Sequence, residues 1–172
     1  ALAKAASSSS ALRTRLARER NVLVLTEICD SLALLRDERS LQQLRRLAEE
    51  HKSPLVRSYA LMAIADISGE KSIPYLKERR RRDRSRRIRA TLDCTLFAKG
   101  ADEVLSDLLG DLRSPDFKVR NLVANLLYHY APRRRRSDIL AALREAAANE
   151  PFQGVRGDME RAIEELSGSS ER

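Results

Sequence analysis

The side chains best suited to chemistry in this sequence are arginines, whose guanidinium keeps its charge and presents a planar fork of donors to a carboxylate or phosphate. Residues 77–89 hold nine basic side chains, Lys77, Arg79, Arg80, Arg81, Arg82, Arg84, Arg86, Arg87 and Arg89, against Glu78 and Asp83. A second run is Arg133, Arg134, Arg135 and Arg136. The two segments carry +7 and +4 in a chain of net charge +8, which leaves the remainder at −3. The basic character therefore belongs to two short stretches, and these are the candidate contact sites. Arg79, Arg80, Arg81, Arg82, Arg84, Arg86 and Arg87, with Tyr75 beside them and the second run, make up the expected partner-binding set. Such a surface attracts an acidic protein segment or a nucleic-acid backbone. The competing structural role is a solvated helix end whose arginines complement the negative pole of the helix dipole.

Catalytic and metal-binding patterns are missing from the sequence. No paired carboxylates, nucleophile with a nearby His or glycine-rich phosphate loop emerges, so no catalytic residue, cofactor, metal or small-molecule substrate is expected. His51 and His129 are far apart in sequence, and His129, between Tyr128 and Tyr130, reads as a structural or partly exposed residue. Cys29 and Cys94 form neither a CxxC pair nor a ligand cluster. They lie two repeats apart, beyond disulfide reach, so free buried thiols are expected. No apolar stretch approaches the roughly 20 residues of a membrane span, and the reading is of a soluble cytoplasmic protein with no membrane partner.

The elements that position the arginines follow from counting. Val56-Arg57 is followed by Ala60, Ala63, Ile64 and Ile67, one face of an α-helix. The pattern returns at Ile88-Arg89, Val119-Arg120 and Val155-Arg156, and upstream at Val24, where Leu25 stands in place of the arginine. Anchors at 24, 56, 88, 119 and 155 are spaced 32, 32, 31 and 36 residues apart, a period typical of stacked helical units. Between anchors lies a second apolar helix, marked by Leu41, Leu44 and Leu47 in the first copy and by Ile73 and Leu76 in the next. Ser53-Pro54, Ser114-Pro115 and Ser85 supply caps for first helices. Gly69 and Gly100 punctuate the turns within pairs, and the loop at 132–136 accounts for the long last interval.

The segment from Ser53 to Leu76, SPLVRSYALMAIADISGEKSIPYL, resembles the HEAT-like repeat family, including the variety found in phycobilin-lyase subunits. The resemblance extends over roughly residues 20–168. It implies an α-solenoid with a concave face of second helices, and it specifies fold far more than function. The family pattern places an acidic residue five positions before the anchor and a basic one after it, which fits Asp83 with Arg89 and Glu150 with Arg156. His51 and Ser114 take the acidic position in two other copies, so a continuous ladder of ion pairs is not expected.

The expected architecture is all-α, an α-solenoid of about five helix pairs, incomplete at both ends. Residues 1–10, with four consecutive serines, read as a flexible linker or residual tail, 11–168 as a single repeat domain and 169–172 as a polar tail. The half-units at the ends suggest a piece of a longer array or ends covered by a partner. The function expected is a non-catalytic scaffold holding a protein partner, or another part of a longer chain, on its concave face and arginine-rich edge. The alternative is nucleic-acid backbone binding through residues 79–87 and 133–136. Against it stand the lack of Trp and the absence of aromatics interleaved with the arginines. A chromophore lyase-like subunit is a distant third, implied only by the resemblance.

Overall fold

The apolar spacing calls for helices. A computed structural model of the chain, describing residues 2–130 and 135–168, contains helices and no strand among those residues. In chain order they are α1 (Leu2–Leu16), α2 (Val22–Leu34), α3 (Leu41–Glu50), α4 (Pro54–Ser68), α5 (Ile73–Arg82), α6 (Arg86–Ala98), α7 (Leu105–Asp111), α8 (Phe117–Tyr130), α9 (Arg136–Asn149) and α10 (Gln153–Gly168). The even-numbered helices carry the anchors and are the first helices. The odd-numbered ones are the second. This is an all-α fold of the solenoid class.

Packing divides the chain into two compact units, Ala1–Arg81 and Arg82–Arg172, where the repeat pattern suggests one domain over 11–168. In the first unit α4 lies against both α2 and α3; in the second α8 lies between α6 and α10, and α9 packs on α10. The anchors Val56, Ile88 and Val119 are fully buried. So are Leu61 and Ile64 on α4, each withdrawing apolar surface on the order of 2 kcal/mol from water.

Three details depart from the sequence reading. The segment 1–10 is helical from Leu2, because LAKAASSSSALRTRL contains no Gly or Pro and serine costs a helix only about half a kcal/mol per residue. Ser9 and Leu16, seven residues apart and so on one face of α1, are both buried. In the first copy the anchor Val24 is 36% exposed and Leu25 is buried instead. With no arginine at that position, turning the larger Leu25 inward buries more apolar surface. Finally, Ser53 makes no side-chain cap bond although Pro54 does open α4, and α8 starts at Phe117, beyond Pro115. Ser85 caps α6 as expected, accepting from the Ile88 amide.

The turns repeat as faithfully as the helices. Ser40 and Ser72, 32 residues apart, are buried in short 3-10 turns, and each hydroxyl donates to a carbonyl three residues back, Asp37 and Gly69, at 2.6 Å. Gly69 and Gly100 take φ of 57° and 106° just past α4 and α6, conformations that L side chains rarely adopt. Arg36 fills the same place after α2 with φ of 49°, and its guanidinium donates to the Asp66 carbonyl at 3.0 Å.

One joint recurs where each second helix hands over to the next first helix. The side chain of a residue there accepts from the amide two positions on: Glu19 from Asn21, His51 from Ser53, Asp83 from Ser85, Ser114 from Asp116 and Glu150 from Phe152. In the last four the arginine six positions on donates to that residue's backbone carbonyl: Arg57 to His51 at 2.8 Å, Arg89 to Asp83 at 3.2 Å, Arg120 to Ser114 at 2.6 Å and Arg156 to Glu150. The arginine thus satisfies carbonyls left over at a helix end, and needs no acid to do so. This explains how His51 and Ser114 serve where an acidic residue was the pattern.

Candidate interaction surfaces

The first arginine run crosses from the first unit into the second between Arg81 and Arg82. On α5 the apolar stripe ends at Leu76, and Arg79 and Arg80 are half-buried where core residues would stand. Arg81 is exposed and pairs with Glu78 at 3.7 Å. Tyr75 fastens α5 to α3: its hydroxyl donates to Glu49 at 3.1 Å and the Arg45 guanidinium lies 5.3 Å from the ring centre. Burial, and then the Glu49 carboxylate, push its phenol up to about 12.

In the second unit Arg82, Arg84 and Arg86 are exposed and Arg87 is half-buried at the start of α6. Arg86 also has a structural partner, donating from Nε to the buried Asp111 at 2.6 Å. Arg89 is held by its joint. Arg135, with φ of 57°, is exposed and pairs with Asp138 at 2.7 Å, while Arg136 opens α9. Arg133 and Arg134 lie outside the described residues. The run 79–87 therefore mixes bound and solvent-facing cations.

One feature of the second unit has no linear signature. Phe117 and Phe152 are 40% and 51% exposed and stack at 5.0 Å, with Lys118 and Arg120 over their rings. They come from different repeats, so their signal was only their place beside adjacent joints. His129 is exposed at the end of α8, its ring edge-on to Tyr128. Cys29 and Cys94 are free and buried, as the repeat register requires, and burial pushes both thiols up to about 12.

A second surface lies on the first unit. Leu23, Glu27, Asp30 and Leu34 share one face of α2, at i, i+4, i+7 and i+11. Leu55, Tyr59, Met62 and Asp66 occupy the same register one repeat later on α4, which packs against α2. Leu23 and Leu34 are 67% and 85% exposed. Partial burial, then Glu27 and Asp66, raise the Asp30 carboxyl to about 6. The Tyr59 phenol is raised too, by burial first and then by Asp30 and Glu27.

Residues 9–93 match the family model of HEAT repeats, a stretch that spans α2 to α5 and most of α6. That stretch carries HEAT-like repeats. The HEAT-like joint continues beyond the matched stretch at Ser114 and Glu150, with the same two hydrogen bonds. No curated protein and no solved structure matches the chain. HEAT repeats generally serve as protein-interaction scaffolds and are typically non-catalytic. No helix among the described residues is long and apolar enough to cross a membrane, and none of those residues forms a His, Cys, Asp or Glu group suited to a metal ion.

Proposed function

We propose that this protein is a non-catalytic scaffold that holds an acidic protein segment through the arginines of residues 79–87. The observation behind this reading is the concentration of charge. The stretch 77–89 is +7, and Arg81, Arg82, Arg84 and Arg86 in it are exposed, while the chain outside the two arginine runs is net negative. Guanidiniums in that density favour bidentate pairing with carboxylates and speed encounter with an acidic partner. Arg135 and Arg136 of the second run form a further candidate contact, together with Arg133 and Arg134.

The test is a fluorescence titration of the full chain against a labelled acidic peptide, duplex DNA, duplex RNA and single strands at several salt concentrations, for wild type and for the variant with Arg79, Arg80, Arg81 and Arg82 replaced by Ala. The reading expects saturable peptide binding near physiological salt that falls at least about tenfold in the variant. Tight nucleic-acid binding with a steep salt slope that collapses in the variant would replace the acidic segment with a phosphate backbone.

A further inference from the structure

We infer that the first-helix face of the first unit, formed by α2 and α4, is a second docking surface, whose occupant is a basic amphipathic helix of a partner protein. Two observations carry it. Leu23 and Leu34 stand exposed at the two ends of one α2 face, eleven residues or about 16 Å apart. Between them lie Glu27 and Asp30, with Asp66 contributed from α4.

The charge on this face is opposite to that of the two arginine runs. The chain is +8, yet residues 21–35 contain no Lys or Arg. On α4 the one cation, Arg57, is turned to the His51 and Lys52 carbonyls at the joint. Arg36 marks the Leu34 end, bound to the Asp66 carbonyl. The influences that raise the Asp30 carboxyl, after partial burial, are other carboxylates, so a cation brought here meets an electrostatic deficit.

The form of the partner follows from the surface. Helices offer no free backbone ladder for an extended strand to extend, so recognition here runs through side chains. A helix lying along α2 would place apolar residues eleven apart over Leu23 and Leu34, and Lys or Arg at the two intervening turns over Glu27 and Asp30. This surface is independent of the arginine run, and its partner has the opposite charge.

The full chain is titrated by fluorescence anisotropy with a labelled helical peptide bearing leucines eleven residues apart and arginines at the two intervening turns, and with the same peptide carrying glutamates for the arginines. Saturable binding of the arginine peptide alone is expected, weakened about tenfold or more by Leu23→Ala with Leu34→Ala and by Glu27→Lys with Asp30→Asn. The leucines are solvent-facing, so their truncation leaves the fold intact, which circular dichroism checks. The variant with Arg79, Arg80, Arg81 and Arg82 replaced by Ala should bind the arginine peptide like wild type, which separates this surface from the proposed acidic-segment site. No saturable binding, equal binding of the glutamate peptide, or wild-type binding by both face variants would overturn the inference. So would a dimer by light scattering that Leu23→Ala with Leu34→Ala dissociates, since the occupant would then be a second copy.

Discussion

Arg120 grips both carboxylate oxygens of Glu150, with Nε 2.5 Å from Oε2 and Nη2 2.8 Å from Oε1, and so ties one joint to the next across 30 residues of chain. Glu150 is 2% exposed, and hydrogen bonding from Arg120 is the largest of the influences that hold its carboxyl below the ordinary range. Arg120→Ala leaves that carboxylate buried without its main partner and should cost on the order of 3 kcal/mol in urea unfolding. A depressed carboxyl stabilises the fold above its unfolded value and loses that contribution as pH falls through the folded one. Wild type should therefore lose more stability than Glu150→Gln on acidification below about pH 4.5.

At the joint between α3 and α4, Arg57→Leu should be more damaging than His51→Ala. The first removes the donor to two carbonyls and should cost about 1 to 2 kcal/mol, while the second removes one side-chain acceptor and should cost about half as much. Thermal melting of both variants reads the order, and a reversed order would mean the side chain, not the carbonyl, closes the joint.

Cys29 and Cys94 should resist a thiol reagent in the native state at pH 8, because thiols raised to about 12 supply almost no thiolate and both are buried. Both should react once urea unfolds the chain. Rapid native labelling of either one would contradict the packing of α2 or α6.

Asp30 sets an opposite pH dependence to Glu150. Its folded value of about 6 lies above the ordinary 3.8, so its contribution to stability is fully present below about pH 4 and is lost as pH rises through 6. Asp30→Asn should equal wild type in stability at pH 3.5 and exceed it at pH 7. Allowing for solvent screening of a half-exposed group, the gain is on the order of 1 kcal/mol. Paired denaturation curves at the two pH values test it.

Glycine substitutions should divide by backbone conformation. Gly100→Ala meets no neighbour but must hold φ of 106°, a strain of about 1 to 2 kcal/mol. Gly157→Ala, inside α10 and facing open space, should raise stability by about 0.5 to 1 kcal/mol. Urea midpoints moving in opposite directions are the expected result.

The helices were legible because their apolar spacing survives in every copy, and Gly69 and Gly100 marked turns that do take positive φ. What stayed hidden was interaction between atoms that sequence patterns do not name. A carbonyl has no letter, so the partner of Arg57 and Arg120 could not be read from His51 or Ser114. The serine run of α1 has the low complexity of a linker, yet it holds no helix breaker, and the apolar and alanine residues around it carry the helix through. Glu27, Asp30 and Asp66 were spread over two repeats, and only packing α2 on α4 makes one surface of them.

Because the arginine at four of the five joints takes hold of an oxygen that every amino acid possesses, the side chain beside that oxygen can vary, as it does between Asp83, His51 and Ser114. Substitution at His51 or Ser114 can recast the chemistry of the loop while the arginine-to-carbonyl half of the joint stays in place. A lineage of such arrays could explore new partners at its joints while inheriting the same architecture.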